Sequence, residues 1–164
     1  MITSHEMLAF MPPELAAAIL EFTFAEEKPL YRATLAAVAE ARKVRPVFME
    51  RQPRVDRHKA MLATLQRPNL EAAASNLIRG WLLKKQTAVL TDFLNSLGIA
   101  HTDGVVEQLP DQVEEDKLKV AVETLLAKHP KEVVMVYLNA FNTMNETSWK
   151  GLQSILDSDP RLQF

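Results

Sequence analysis

The sequence predicts an all-α protein on three observations. Apolar residues recur every three to four positions through most of the chain, which is the spacing of a buried helix face. The 164 residues include only four glycines. Most of the nine prolines fall where one apolar stripe ends and another begins. We therefore expect a single domain over residues 1–164, a bundle of about seven or eight helices, with residues 1–11 as a flexible N-terminal tail.

The first half of the chain predicts helices that begin at prolines. Proline is tolerated in the first turn of a helix and disfavoured inside it, so Pro13 and Pro29 mark the starts of two helices. Each has one apolar face, and the two should pack as an antiparallel pair. Gly98 fits the end of a long helical segment, because glycine often follows a helix directly. The expected helices span residues 13–27, 29–44, 55–66 and 70–97, with a turn at 47–51 and a junction within the last span near Gly80.

The second half begins with an interruption of the helical pattern over residues 98–110. After it, Asp111 and Glu114 have the spacing of a capping box, a reciprocal pair of side chains that starts a helix. Pro130 ends that helix and opens the next one. A last short helix is expected, with Thr147 or Ser148 as its N-cap.

A repeat of 48 residues offers an alternative to the bundle. Shifting the chain by that number aligns Leu70 with Leu118 and Phe93 with Phe141. Such a period suits a short helical-hairpin solenoid. Any two amphipathic helices can be slid into partial agreement, however, so the bundle is the first expectation.

The interruption at residues 98–110 is the first candidate site. It places the imidazole of His101 near two carboxylates, Asp103 and Glu107, outside a helix. Histidine titrates near neutral pH and a nearby carboxylate can orient it, so these are candidate catalytic residues of an acid/base or metal-dependent enzyme. The alternative is structural. Asp103 and Gly104 would then form the turn of a tiny β-hairpin over residues 99–107, because both residue types tolerate positive φ.

The segment 42–59 is the second candidate site, because positive charge is densest there. It contains seven lysines and arginines against two carboxylates. Arginine predominates, and its planar set of donors suits phosphate or carboxylate. One interpretation is an anion or nucleic-acid surface, and the other is a solvated face or the partner of acidic helices; no helix-turn-helix or RNA-binding signature accompanies the charge. The candidate anion-binding residues are Arg45, Arg51, Arg54, Arg57 and Lys59.

Residue types that the chain lacks exclude several classes of site. It has no cysteine, which excludes disulfides, zinc thiolate sites, iron–sulfur clusters and cysteine nucleophiles. The four histidines lack the spacing of helical metal sites, and the glycines form no phosphate-binding motif. We therefore expect no metal and no cofactor. His58 lies on the apolar face of its helix, where we expect a hydrogen-bonded core residue.

Charge is distributed unevenly along the chain, which favours association. The net charge is +8 over residues 31–91, −4 over residues 1–30 and −6 over residues 92–164. We expect a non-enzymatic protein-interaction or assembly module that binds itself or an acidic protein through the basic middle. An enzyme is the less favoured alternative. Because the sequence shows neither a signal-peptide pattern nor a long apolar run, it predicts a cytoplasmic protein without a membrane partner.

Overall fold

The computed structural model describes residues 1–164 and contains ten α-helices and no β-strand. The all-α prediction is confirmed. The helices form two units, an N-terminal unit over Thr3–Trp81 and a C-terminal unit over Leu82–Phe164 with Met1–Ile2. The expectation of a single domain stays a prediction, because two units of one chain can unfold together or separately. No helix combines the length and apolar character that crossing a bilayer requires.

Five α-helices and most of a sixth make up the N-terminal unit. They are α1 (Ser4–Phe10), α2 (Pro13–Glu26), α3 (Lys28–Ala41), α4 (Pro46–Glu50), α5 (Arg54–Leu65) and α6 (Glu71–Lys85), the last of which continues past the end of the unit. Proline stands in the first turn of α2, α3 and α4, where its missing N–H breaks no helical bond. The helices α2 and α3 pack against each other and against α5.

The core of the N-terminal unit is formed by the apolar faces of α2, α3 and α5. Ile19 and Leu20 of α2, Val38 of α3, and Met61 and Leu65 of α5 are completely buried. Burying a side chain of this size stabilises a fold by about 1.5 to 3 kcal/mol. The core therefore fixes the three helices whose other side chains form the candidate site.

The structure forms α1 where the sequence predicts a flexible tail. Met7 is completely buried. The carboxylate of Glu71 accepts hydrogen bonds from the backbone N–H of Ser4 at 2.7 Å and of His5 at 2.9 Å. These are first-turn donors, and the N-cap residue of α1 makes no side-chain bond to them. Glu71 is thus the cap of α1, supplied from a distant part of the sequence.

The C-terminal unit contains α7 (Thr87–Ser96), α8 (Glu115–Lys128), α9 (Lys131–Met144) and α10 (Lys150–Ser158). The helices α7, α8 and α9 contact one another, and α10 packs on α8 and α9. Four aromatic rings form a cluster in which neighbouring ring centroids lie 5.0 to 6.0 Å apart. Its members are Phe93, Tyr137, Phe141 and Trp149.

The prediction of seven or eight helices is roughly right, and the structure has ten α-helices. In addition to α1, the predicted turn at 47–51 is the short helix α4. The expected segment over 70–97 is interrupted at Gln86 rather than near Gly80. Gly80 remains helical and gives space to a neighbour, since a Cβ there would overlap the side chain of Leu30.

The 48-residue repeat agrees with the helix boundaries at one point only, because Ser96, the last residue of α7, aligns with Met144, the last residue of α9. Helix α6 ends at Lys85, whose counterpart in the shifted alignment is Val133. Val133 lies inside α9 instead of at the end of a helix. The aligned apolar residues therefore belong to helices of different extent.

The starts of α8 and α10 also differ from the prediction. Glu114 is the N-cap of α8 instead of its third residue, and no side chain caps this helix, so the capping box is wrong. Helix α10 has Trp149 as its N-cap. The backbone N–H of Trp149 donates to Oδ1 of Asn142 at 3.2 Å, and its indole N–H donates to the carbonyl oxygen of Pro110 at 2.9 Å.

Candidate anion-binding site

An open cavity of about 470 Å³ lies in the N-terminal unit between α2, α3, α5 and the end of α4. Its volume is within the usual range for small-molecule sites, roughly 300 to 1,000 Å³. We call it the basic pocket, because three of its side chains are cations and one is an anion. Its lining residues are Phe24, Ala25, Lys28, Tyr31, Arg32, Leu35, Glu50 and Arg57.

Helix α3 supplies half of the lining from one face. Lys28, Tyr31, Arg32 and Leu35 are spaced by three, one and three residues, and this spacing brings them to the same side of a helix. Tyr31 and Leu35 are buried, whereas Lys28 and Arg32 are exposed. The face thus has an apolar floor with two cations at its rim.

Arg57 approaches the pocket from α5. Its Nη1 donates to the backbone carbonyl of Glu50 at 3.0 Å, and its Nε is buried without a hydrogen-bond partner. Its guanidinium carbon lies 5.7 Å from the ring centroid of Phe24 and 5.9 Å from that of Tyr31. These are cation–π distances. Two aromatic rings and one carbonyl therefore orient the guanidinium, and no carboxylate neutralises it.

The cations of the basic pocket are unpaired within the protein. Lys28, Arg32 and Arg57 take part in none of the ion pairs of the structure. Arg54, one turn earlier on α5, behaves differently, since it pairs with Glu21 at 3.2 Å. The pocket has a local excess of positive charge, and low-dielectric walls strengthen the field of such charge.

A chain of three side chains stands behind the pocket wall. Nε2 of His58 lies 2.9 Å from the hydroxyl of Tyr31, and Nδ1 of His58 lies 3.3 Å from the carboxylate of Glu21. A carboxylate only accepts, so in a neutral ring Nδ1 carries the hydrogen and Nε2 accepts from Tyr31. The prediction that His58 is a hydrogen-bonded core residue is confirmed, since it is 7% exposed.

Burial keeps the proton of this chain on Tyr31. It lowers the pKa of His58, and Glu21 only partly offsets the effect. It also raises the pKa of Tyr31, against the lowering influence of Arg57. Tyr31 is thus a weaker acid and His58 a weaker base than usual, so transfer of the proton from Tyr31 to His58 is disfavoured. Tyr31 and His58 both remain neutral, and Tyr31 forms part of the wall of the pocket.

The sequence identified one of the three pocket cations. Of the predicted anion-binding residues, only Arg57 lines the basic pocket. Arg54 is paired with Glu21, and Arg45 and Arg51 are exposed at the two ends of α4. Lys59 lines a separate groove, formed largely by apolar residues of α1, α2 and α5.

Lys28 and Arg32 were outside the predicted segment because charge density along the sequence does not reveal them. Both belong to α3, which packs on α5 and so brings them near Arg57. The sequence feature that could have indicated them is a local one. Two cations stand four residues apart, with Tyr31 between them, on a helix face that also bears Leu35.

In the loop at residues 98–110, the ring of His101 makes local hydrogen bonds. His101 Nε2 lies 2.8 Å from Oδ1 of Asn95, and His101 Nδ1 accepts the backbone N–H of Gly104 at 3.1 Å. Both ring nitrogens therefore bond locally, Nε2 to a residue of α7 and Nδ1 within the loop. Asp103 and Glu107 are exposed, and no group of three or more potential ligand side chains is arranged to hold a metal ion.

The expected β-hairpin over residues 99–107 is wrong. Thr102 and Val105 form a single isolated bridge, with reciprocal backbone hydrogen bonds of 2.9 and 3.0 Å, and no strand extends from it. The turn itself was predicted correctly, because Asp103 has φ 50° and Gly104 has φ 85°. A hairpin would need a second pair of strand residues next to this bridge. His101 instead bonds to Asn95 and Gly104.

Comparison with known proteins gives no family assignment. No protein-family model, no curated protein and no solved structure matches this chain.

Proposed function

We propose that this protein is a non-enzymatic binding module that holds an anionic ligand in the basic pocket. One observation supports this above the others. Lys28, Arg32 and Arg57 line one cavity of about 470 Å³, and none of them is paired with a carboxylate. Isolated cations around a concave surface are the arrangement that recognises acids in proteins.

The chemistry of Tyr31 and His58 favours binding over catalysis. A general acid or base works best with a pKa near the operating pH. Burial moves the pKa values of both groups in the directions that keep Tyr31 protonated and His58 uncharged. The pair therefore supports the shape of the pocket without supplying a mobile proton.

Salt should weaken the binding. Lys28 and Arg32 are exposed, and exposed charges are screened over about 10 Å at 0.1 M salt. Arg57 is partly buried and is screened less. We expect affinity to fall with ionic strength without disappearing, because salt screens the charges of Lys28 and Arg32 more than that of Arg57.

Isothermal titration calorimetry tests the proposal, with benzoate and inorganic phosphate as probes at low ionic strength. We expect at least one probe to bind, and Arg57→Met to weaken it by about tenfold or more, as loss of a charge-assisted hydrogen bond should. Arg45→Met is the matched control, because Arg45 is exposed, lies outside the pocket and makes no ion pair. Absence of binding by both anions, or equal loss in the two variants, would overturn the proposal.

A further inference from the structure

The basic pocket has two chemically different sides. One side is apolar and includes Phe24, Tyr31 and Leu35. Phe24 and Tyr31 meet edge to face, with centroids 5.1 Å apart and planes at 75°. Phe24 is half-buried, whereas Tyr31 and Leu35 are buried, so Phe24 offers the larger carbon surface to a ligand. A fully hydrated inorganic anion would make no use of it.

The other side of the pocket is polar and suits a carboxylate. Arg57 offers a planar guanidinium, which matches a carboxylate geometrically. Glu50 lines the same cavity and repels negative charge. Both this repulsion and the attraction of the three cations grow with the charge of the ligand, so the apolar side of the pocket, rather than charge, favours a carboxylic acid with an apolar body over phosphate.

Features that cradle phosphates are missing from the pocket. Phosphate sites commonly use glycine-rich loops, whose backbone N–H groups converge on the anion. The glycines of this chain are at positions 80, 98, 104 and 151, and none of them lines the basic pocket. Side chains alone therefore supply its charge.

We propose that the ligand of the basic pocket is a small monocarboxylic acid with an aromatic or aliphatic body. The carboxylate lies among Lys28, Arg32 and Arg57, and the body lies against Phe24, Tyr31 and Leu35. This inference rests on the proposed function, since it names the class of anion for the same site. The cavity volume of about 470 Å³ accommodates a single ring or a short chain together with its acid group.

A panel of four probes tests the ligand class by calorimetry: benzoate, hexanoate, inorganic phosphate and the neutral analogue benzamide. We expect benzoate and hexanoate to bind about tenfold or more tightly than phosphate. We expect benzamide to bind about tenfold or more weakly than benzoate, because it lacks the charge that Arg57 recognises. Circular dichroism of every variant verifies that its helices are intact.

Two variants separate the contributions of charge and apolar surface. Arg57→Lys keeps the charge but removes the planar donor set, so benzoate binding should weaken several-fold. Phe24→Leu keeps an apolar side chain but removes a ring, so benzoate binding should weaken several-fold and by more than phosphate binding, which loses only the contribution of this ring to the orientation of Arg57. Phe24 is only partly buried, and leucine there should preserve the fold.

The outcomes distinguish this inference from the proposed function. If phosphate binds in an Arg57-dependent way and neither carboxylate does, the ligand class is wrong and the proposed function stands. If neither the carboxylates nor phosphate bind, or if benzamide binds as tightly as benzoate, both are wrong. Phe24→Leu weakening phosphate as much as benzoate would also contradict the carboxylate class.

Discussion

Tyr31 donates its hydroxyl hydrogen to Nε2 of His58 across 2.9 Å, and this bond joins α3 to α5 beside the basic pocket. The two helices supply all three pocket cations. The bond therefore connects the stability of the fold with the geometry of the candidate site, and it predicts how both respond to substitution.

Tyr31→Phe should destabilise the protein by about 1 to 3 kcal/mol, because the buried Nε2 of His58 loses its partner. Urea unfolding, followed by circular dichroism, measures the change. Tyr137→Phe is the matched control: Tyr137 is also buried, and burial alone raises its pKa, with no hydrogen bond contributing. We expect a much smaller effect at Tyr137, and equal losses in the two variants would contradict the role given to the Tyr31–His58 bond.

Glu71 should make the protein sensitive to acid. Burial favours a raised pKa for this carboxyl, but the hydrogen bonds from His5 and Ser4 outweigh it and hold the pKa below its ordinary value of 4.5. A pKa that is lower in the folded state contributes stability above the unfolded-state value, and this contribution is lost as pH falls through the folded-state value.

Glu71→Gln tests the role of the carboxylate as the cap of α1. Loss of a helix cap costs about 0.5 to 2 kcal/mol, and partial exposure of Glu71 favours the lower half of that range. The variant should be less stable at pH 7, and the difference from the parent protein should shrink as pH falls below the ordinary value of 4.5 and through the lower pKa of the folded state. Glu14→Gln serves as a control, since Glu14 is exposed in the first turn of α2. A difference independent of pH would count against the charged cap.

Gly104→Ala should destabilise the C-terminal unit more than Gly98→Ala. Both glycines have positive φ, 85° and 67°, and alanine at such a position costs about 1 kcal/mol. A Cβ at Gly104 would also lie 2.8 Å from Cβ of Leu90, whereas nothing lies within 4 Å of a Cβ at Gly98. Thermal unfolding of the two variants measures the difference. A larger loss at Gly98 would show that the packing of this loop on Leu90 is wrong.

Lys43→Gly should stabilise the protein, although most substitutions to glycine destabilise. Lys43 has φ 57° at the end of α3, where a residue with a Cβ is strained. Relief of this strain should exceed the entropy that glycine adds to the unfolded chain, leaving a gain of about 0.5 to 1 kcal/mol. Lys59→Gly, in the exposed part of α5, should instead cost about 1 kcal/mol. Chemical denaturation of both variants provides the test, and a loss of stability at Lys43 would contradict the strained conformation.

His101→Ala distinguishes the structural role of the 98–110 loop from the catalytic one. Removing the ring leaves the N–H of Gly104 and the amide of Asn95 without their partner. We expect a lower melting temperature, equivalent to about 1 kcal/mol. A variant with an unchanged melting temperature would favour the enzymatic alternative for His101, Asp103 and Glu107.

Local sequence patterns determined much of the fold. The apolar stripes of α2, α3 and α5 follow from helical periodicity, and the prolines at their starts mark the boundaries. Helix α1 was missed because its cap, Glu71, is far away in sequence. A cap that forms only after folding leaves no signal in a seven-residue segment.

The candidate site was predictable only in part for the same reason. Arg57 stood out through the charge density around it, but its proximity to Lys28 and Arg32 depends on how α3 packs on α5. Association of the protein with itself or with an acidic partner stays a prediction. Light scattering at several concentrations tests it.

The most direct test of anion binding observes Arg57 itself. In a titration with benzoate, followed by nuclear magnetic resonance, the Nε–H signal of Arg57 and the backbone signals of Lys28 and Arg32 should shift together and saturate. Shifts confined to Arg45 and Arg51, or no shift at Arg57 at saturating benzoate, would show that the basic pocket does not hold the acid.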